Sequence, residues 1–422
     1  MTSKNKRKNG DRLSDLPKDI LTHVLSLLPL KLAVRTSILS KRWRYIWMLV
    51  PNLDFDNVTP YEAVDHVLEL CKSKVEILRL HFNKWPVPKP TVSKWINEAI
   101  RLNVSELDIL VREVNLPLSF FTCKTLTTFR LTFQSRDKAL ACPSLVSLPC
   151  LKTLDIVVYS NPLENTFKLI HGCPILENLS LEIKRRESEE NYYFEIPTLK
   201  RLTLSILRSI KTNNRVVLNL PNLEYLSIRE TWLHSLFVIK DLSSLVEAKA
   251  SCDIKNDGYL WFEILKGIRR AKCLSLNIGY YSFRFINPSS SSLPEFPNVK
   301  QLELIRGFND RAWWLVPKFL ERCPELKHFI IHKWYGDCPN EEPESVPSCM
   351  LANLKTIKVT NTRGSTSVLK FLKFMLANSK FLKTLTVTFH KGLSFKDEGA
   401  LSQVISRLPR ASEDCEFHFE GK

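Results

Sequence analysis

The sequence predicts an α/β fold in which a small helical module precedes a long series of short parallel strands and a final strand-and-helix segment. Two observations predict this fold. Apolar residues at positions i, i+3 and i+5 recur along most of the 422 residues, and the last two of them fall on one face of a short strand. Residues 11–50 instead carry apolar residues at helical spacing between prolines.

The composition is that of an ordinary globular chain with a basic balance. Apolar residues make up 44%, which excludes a wholly disordered chain. There are 61 Lys and Arg against 44 Asp and Glu, so the formal net charge is +17. No stretch is long and apolar enough for a membrane helix, so we expect no membrane partner.

The cysteines and the start of the chain predict a cytoplasmic or nuclear location. Residues 1–11 are basic and lack the apolar segment of a secretory signal. The eleven cysteines are scattered without any C-x-x-C pair, and we expect them to be reduced thiols.

The sequence carries no recognisable catalytic or metal motif. Only 11 residues are glycine, whereas phosphate-binding loops and nucleophile elbows need clustered glycine. His328 and His332 are four apart with Cys338 nearby, but zinc sites use tighter quartets of ligands. We therefore expect no enzyme activity, no cofactor and no metal.

The helical module is predicted to contain three short helices. Pro17 and Asp19 begin the first helix, and Pro29 ends it. A second helix fits Lys31 to Leu39, and Ser40 is a candidate N-cap for a third. The apolar positions of the first and third helices are Ile20, Leu21, Val24, Leu25, Leu28, Trp43 and Trp47. A core this small is expected to complete its burial against a partner.

Four stretches of the module form an ordered motif: residues 11–17 (DRLSDLP), 25–29 (LSLLP), 33–44 (AVRTSILSKRWR) and 50–55 (VPNLDF). In these stretches the module resembles the F-box of plant proteins almost position for position. The resemblance implies an F-box over 11–57 that docks onto the small Skp-type adaptor of a cullin-based SCF ubiquitin ligase.

The same resemblance implies which residues bind the adaptor. The first helix would contribute Leu16, Pro17, Ile20, Leu21, Leu25, Leu28 and Pro29. The rest would be supplied or supported by Val34, Leu39, Ser40, Arg42 and Trp43. Some of these side chains must hold the helices together instead, so each is either an interface residue or a core residue.

A DNA-binding unit is the alternative interpretation of three short basic helices. Arg35, Lys41, Arg42 and Arg44 could contact phosphates, but the heavily apolar first helix argues against that use. The overall charge lacks a strong basic run with aromatic residues, so we expect no nucleic-acid partner. The basic residues in 1–10 fit a disordered tail, with a nuclear address as the alternative.

The i, i+3, i+5 spacing recurs in thirteen copies. They begin at Val75, Val104, Leu126, Leu151, Leu176, Leu199, Leu223, Leu245, Ala271, Val299, Leu326, Leu354 and Leu382. Successive copies are 22 to 29 residues apart, which leaves room for one helical or irregular return, such as 268–271 or 314–320. Amphipathic helices need a different spacing.

These copies resemble leucine-rich repeats, which implies a solenoid over 58–340. One repeat cannot bury its own apolar face, so neighbouring repeats must stack into a curved parallel sheet. Such a surface fits a protein partner better than a small substrate.

The last segment, 345–422, resembles the FBD domain that ends many plant F-box proteins. Strands are predicted over 354–359 and 382–389, helices over 367–378 and 398–407, with a turn at Gly364. Cys415, Phe417 and Phe419 alternate as in a strand. The segment either continues and caps the repeats or binds a partner of its own.

Together these expectations describe the substrate-recognition subunit of an SCF-type ubiquitin ligase. The F-box would dock the adaptor, and through it the cullin, while the repeats hold an unidentified target protein. The alternative is a leucine-rich-repeat scaffold whose F-box does not function.

Overall fold

The computed structural model describes residues 13, 15–84, 86–133, 140–159, 163–184, 191–207, 214–253, 258–278, 293–305, 315–332 and 345–421. The predicted tail 1–10, the basic cluster within it and Cys338 lie outside these residues. None of the helices in the part of the chain described is long and apolar enough to span a membrane.

Ten α-helices and three 3₁₀ helices lie in the described residues. The α-helices are α1 (Lys18–Ser26), α2 (Leu30–Arg35), α3 (Tyr61–Leu70), α4 (Lys89–Arg101), α5 (Glu164–His171), α6 (Tyr259–Ile268), α7 (Leu315–Glu321), α8 (Ser348–Ala352), α9 (Thr366–Asn378) and α10 (Phe395–Ser406). The 3₁₀ helices are Thr36–Ile38, Trp43–Leu49 and Leu118–Thr122.

The same residues contain eighteen strands. They are β1 (Asn52–Asp56), β2 (Ile77–Phe82), β3 (Glu106–Val111), β4 (Thr128–Phe133), β5 (Thr153–Val158), β6 (Asn178–Ile183), β7 (Tyr192–Glu195), β8 (Arg201–Ile206), β9 (Arg215–Asn219), β10 (Tyr225–Glu230), β11 (Leu236–Asp241), β12 (Glu247–Cys252), β13 (Cys273–Ile278), β14 (Gln301–Ile305), β15 (His328–His332), β16 (Thr356–Thr362), β17 (Thr384–Phe389) and β18 (Glu416–Glu420).

The chain divides into two compact units, residues 1–181 and 182–422. In the first unit, β1 to β5 pair in parallel in sequence order. In the second unit, β8, β10 and β12 to β18 pair in parallel. The second unit also holds a small parallel sheet in the order β11-β9-β7. The predicted mixed α/β fold with a parallel repeat sheet is therefore confirmed.

Each of the thirteen predicted repeat copies contains one strand. The last two apolar positions of a copy lie on the buried face of its strand, as Leu78 and Leu80 do in β2. The first apolar position, such as Val75, is buried at the turn that enters the strand. The turns share one hydrogen-bond pattern. For example, Ser105 and Glu106 both donate their backbone N–H to the carbonyl of Glu76 in the preceding repeat.

Helices form the returns between several strands. The return predicted at 268–271, helical or irregular, is an irregular turn that directly follows α6, which ends at Ile268. The return predicted at 314–320 corresponds to α7, with residue 314 outside the described part. Prediction also missed α3 and α4, whose Tyr61 and Trp95 have ring centroids 6.0 Å apart.

The helical module also departs from the prediction. The second helix is shorter, with α2 ending at Arg35 and a 3₁₀ turn following it. The third helix is 3₁₀ rather than α, and Ser40 is not its N-cap, since the helix begins after Arg42 without any side-chain cap bond. Trp43, Ile46 and Trp47 of this 3₁₀ helix are buried.

The carboxy-terminal segment continues the sheet of the second unit. Its strands β16, β17 and β18 add in parallel after β15. Gly364 has a φ of 70°, in the left-handed region that favours glycine, at the predicted turn before α9. The predicted elements of this segment are present, with boundaries shifted by up to three residues.

Candidate protein-interaction surface

The helical module is built around two tryptophans. Trp43, Ile46 and Trp47 of the third helix pack against Leu21 and Leu25 of α1. All five side chains are buried, and each stabilises the module by roughly 1.5–3 kcal/mol through the hydrophobic effect. This packing fixes the angle between α1 and the third helix.

The first repeat closes part of the module core. Val67 and Leu70 of α3 pack against it, and the Ser73 hydroxyl donates a 3.1 Å hydrogen bond to the Met48 carbonyl. The module is thus joined to the first repeat by shared packing. Much of its apolar surface nevertheless stays uncovered.

Helix α1 carries two adjacent apolar stripes. Leu21 and Leu25 form the buried stripe, whereas Ile20 and Val24 are exposed beside it, and Leu28, two residues after the helix ends, is exposed too. Because a helix turns once every 3.6 residues, positions 20 and 24 lie along one side. A helix in a monomer normally exposes polar residues there, so this stripe fits a protein partner.

The exposed apolar surface continues after α2. Leu32 lies on α2, and Ile38 and Leu39 lie in the turn that follows it. Ile38 is 85% exposed and Leu39 61% exposed, and they extend the run of exposed apolar side chains in the module, a feature typical of protein-interaction surfaces. We call the exposed residues Ile20, Val24, Leu27, Leu28, Leu32, Ile38 and Leu39 the docking surface.

The twelve predicted adaptor-binding residues fall into three groups. Pro17, Ile20, Leu28, Pro29, Leu39 and Arg42 are exposed. Leu16, Val34 and Ser40 are partly buried, and Leu21, Leu25 and Trp43 are buried in the module core. The buried three position the helices that carry the exposed group. The Arg42 guanidinium donates a hydrogen bond to the Leu16 carbonyl and so joins the start of the module to its third helix.

Several exposed apolar side chains are absent from the predicted adaptor-binding set. Val24 was predicted as an apolar position of the first helix and Leu27 was not, although both follow Ile20 at helical spacing, i+4 and i+7. Ile38 falls within the helix predicted over 31–39, and it is the most exposed of the set. No local pattern separates it from a core residue, because the helix ends at Arg35.

A groove of about 710 Å³ lies between the third helix and the end of α3. Tyr45, Met48, Leu49 and Leu70 line it with apolar atoms, and Lys18, Arg42 and Lys72 add positive charge. The groove therefore extends the module's surface toward a partner that presents acidic side chains.

The exposed face of the sheet in the first unit carries an alternating row of charges. In register across β1 to β5 stand Asp54, Arg79, Asp108, Arg130 and Asp155. Opposite charges on adjacent strands attract, so the row stabilises its own register. His81 adds to it, with its Nε2 3.2 Å from the Asp108 carboxylate.

On the exposed face of the sheet in the second unit, two basic side chains lie over a tyrosine ring. The Arg201 guanidinium lies 4.1 Å from the centre of the Tyr225 ring, and the Lys249 ammonium lies 5.5 Å from it. These residues stand on β8, β10 and β12, which are neighbours in the sheet. Cation–π contacts of this kind fix an aromatic side chain on an open surface.

The two histidines considered as metal ligands form hydrogen bonds along the sheet. His328 Nδ1 lies 2.9 Å from the Thr356 hydroxyl, and His332 Nε2 lies 2.7 Å from the Glu303 carboxylate. Burial, together with the charges of Lys355 and Lys327, lowers the pKa of His328. Within the described residues, no group of three or more His, Cys, Asp or Glu could hold a metal ion.

The described cysteines are free thiols, most of them buried. Burial raises the pKa of Cys71 to about 11 and that of Cys173 to about 12. Cys252, Cys323 and Cys349 are raised for the same reason. These thiols stay protonated at neutral pH and act as small apolar side chains in the core.

Three family models match the chain. The model of the F-box domain matches residues 13–54. The model of the LRR repeats of FBD-associated F-box protein At5g56370 matches residues 92–244, and the FBD model matches residues 341–387. Together with the fold, these matches define the class: an F-box protein with leucine-rich repeats and a carboxy-terminal FBD.

Relatives that are named for the same three domains and align along the whole chain occur in Arabidopsis thaliana. F-box/FBD/LRR-repeat protein At5g22670 is 30% identical over 468 aligned residues, covering 100% of both chains. F-box/FBD/LRR-repeat protein At4g26340 is 29% identical and covers 97% of this chain and 100% of its own. The chain belongs to the F-box/FBD/LRR-repeat family, and the predicted family resemblance is confirmed.

Proposed function

We propose that this protein is the substrate-recognition subunit of an SCF-type ubiquitin ligase. The F-box module docks onto a Skp-type adaptor, and through it onto a cullin, while the repeats hold a target protein. The observation that carries this proposal is the docking surface: seven apolar side chains exposed on a module that belongs to the F-box family.

The docking surface offers apolar area for a partner to bury. Full burial of one leucine or isoleucine side chain is worth roughly 1.5–3 kcal/mol, and a few residues carry most of the energy of a typical interface. Ile20, Leu28 and Leu39 are exposed on the module, while its buried core holds them in place.

The repeats supply target binding and no chemistry. Their exposed faces carry charged and hydrogen-bonding side chains in fixed register, which suits a protein surface. Ubiquitin transfer then depends on proximity, because a held target has a high effective concentration near the conjugating enzyme. In this proposal no residue of the chain is catalytic.

Adaptor capture tests the proposal directly. The purified full chain is mixed with a purified Skp-type adaptor, and the dissociation constant is measured by calorimetry. We expect Leu28→Ala with Leu39→Ala to weaken binding by at least about tenfold, since each truncation removes apolar contact. Val58→Ala, at a 78% exposed valine in the same unit outside the docking surface, is the matched control and leaves binding unchanged.

The outcomes separate the two candidate functions. A wild-type chain that captures no adaptor overturns the ligase proposal. If the chain binds a partner whose half-life does not change when the chain is removed from cells, the protein is instead a scaffold with a non-functional F-box. Stabilisation of that partner by proteasome inhibition supports the ligase.

A further inference from the structure

Five successive strands of the second unit are each preceded by a lysine. Lys272, Lys300, Lys327, Lys355 and Lys383 stand immediately before β13, β14, β15, β16 and β17. We call these five residues the lysine row. In the first unit the same position, before β2 to β5, holds Glu76, Ser105, Thr127 and Lys152, so the row is a property of the second unit.

Backbone hydrogen bonds hold the lysine row in line. Lys300 donates its N–H to the Lys272 carbonyl at 2.8 Å, and Lys327 donates to Lys300 at 2.9 Å. Lys355 donates to Lys327 and Lys383 to Lys355, each at 2.8 Å. Adjacent strands are about 4.8 Å apart, so the row is roughly 19 Å long.

The charges of the lysine row point into solvent. Four of its side chains are exposed and Lys327 is partly buried. Within the described residues, none of the five forms an ion pair, although lysines elsewhere in the unit do, such as Lys266 with Glu263 at 2.6 Å. One residue stands two positions before each lysine of the row. Only one of these five residues is acidic: they are Arg270, Asn298, Glu325, Asn353 and Phe381.

An aligned row of like charges works against folding. Like charges on adjacent strands repel, and here every neighbour in the row has the same sign. The effect reaches a neighbouring side chain, because Lys355 and Lys327 both help to lower the pKa of His328. A partner that places acidic groups along the row would relieve this repulsion.

The spacing of the row distinguishes among acidic partners. An α-helix rises 1.5 Å per residue, so acids at i, i+3 or i+4 and i+7 stand roughly 5 Å apart along one side. That spacing matches the distance between neighbouring lysines. One strand of a nucleic-acid duplex instead has a charge every 3.4 Å or so, which is shorter than the distance between neighbouring lysines.

We infer that the lysine row binds an α-helix of the target protein that presents Asp and Glu along one side. The inference rests on the proposed function, since it names the chemistry of the target. Its test uses no adaptor, so a failure here and a failure of adaptor binding are distinguishable.

The test uses the full chain and three labelled probes. One is a helical peptide with a stripe of glutamates along one side, and the second has the same composition with its glutamates dispersed around the helix. The third is an oligothymidine of equal charge. We expect fluorescence anisotropy to show tighter binding of the striped peptide than of either other probe, with affinity falling as salt is added.

Matched variants locate the binding site. Lys300→Gln, Lys327→Gln and Lys355→Gln together remove three charges while keeping the backbone bonds of the row. We expect at least about a tenfold loss of affinity for the striped peptide. Lys373→Gln, Lys391→Gln and Lys396→Gln change the net charge equally at exposed positions off the row and serve as the control, with less than about a twofold loss.

Three results would overturn the inference. These are equal losses in the two triple variants, equal binding of the striped and dispersed peptides, and tighter binding of the oligothymidine. The last result would favour a nucleic-acid partner. Thermal unfolding of each triple variant checks that its fold is kept, and Lys327→Gln alone provides a milder variant with a smaller loss in the same direction.

Discussion

The first and last strands of the chain have nearly the same pattern and different surroundings. β1 reads Asn-Leu-Asp-Phe-Asp and β18 reads Glu-Phe-His-Phe-Glu, so both alternate polar and apolar residues. In β1, Leu53 and Phe55 are buried, at 0% and 2% exposure. In β18, Phe417 and Phe419 are only partly buried. Alternation sets which residues share a face, and the neighbouring elements decide whether that face is covered.

The cover differs because different elements lie beside the two strands. Helix α2 of the F-box module contacts β1. On β18 the aromatic rings continue a stacked row from β17, with Phe389 and Phe419 centroids 6.1 Å apart, and charged Glu416 and Glu420 flank them. A sheet edge can be protected either by a covering helix or by charged residues, and this chain uses both.

Replacing one phenylalanine in each strand is the test of this comparison with the largest expected effect. We expect Phe55→Ala to lower the free energy of unfolding by about 3–5 kcal/mol, because it leaves a cavity in a closed core. Phe417→Ala should cost about 1 kcal/mol, since its ring is already partly hydrated. Urea unfolding followed by tryptophan fluorescence and circular dichroism measures both; equal losses would show that β18 is covered as well as β1.

Weakening the cover of β1 is the second test. Leu30 is buried on α2, so Leu30→Ala is expected to destabilise the module by about 2–3 kcal/mol. Amide hydrogen exchange should then accelerate at Leu53 and Phe55 and stay unchanged at Phe417 and Phe419. Unchanged exchange in β1 would mean that α2 does not protect it.

The row of charges that begins on β1 allows a third test, with a smaller expected effect. Asp54 of β1 stands in register with Arg79, and Arg79 with Asp108. Arg79→Asp places a third carboxylate between those of Asp54 and Asp108. We expect the free energy of unfolding to fall by about 1 kcal/mol, and added salt to reduce this loss. Arg79→Gln is the control, with a smaller loss; a salt-independent effect would show that charge is not its cause.

The smallest effect concerns the pH dependence of β18. Hydrogen bonds from the Thr388 hydroxyl and the Lys358 ammonium lower the pKa of Glu420 below its usual value. The stabilisation of the folded state by the ionised Glu420 carboxylate is therefore complete above pH 4.5. It is lost as the pH falls through the lowered pKa. Amide exchange in β18, corrected for the intrinsic rate, should rise over that range in the wild type and stay flat in Glu420→Gln.

Much of the repeat architecture could be predicted from the sequence. All thirteen repeat strands, and β18, follow from apolar spacing because a buried strand face needs apolar residues two apart. The small sheet of β7, β9 and β11 was missed, since its strands lie between repeat copies, where the sequence predicted only a helical or irregular return. Helix α6 was not predicted, although Gly258 stands immediately before its first residue.

The candidate surface was predictable in kind but not in detail. Leu21 and Ile20 are both apolar, adjacent and on the same helix, yet one is in the core and the other is exposed. Only the position of the third helix, fixed by Trp43 and Trp47, decides between them. The lysine row escaped notice because its members are 27 or 28 residues apart and become neighbours only when the repeats stack.

The shared packing between the module and the first repeat has a mechanical consequence. Two residues, Val50 and Pro51, separate the third helix from β1, and proline stiffens that short connection. With Val67 and Leu70 also anchored on the module, no flexible tether lies between the docking surface and the first strand. A rotation of the docking surface therefore also rotates β1. The amino-terminal unit holds its sheet in a fixed orientation relative to the partner that binds the module.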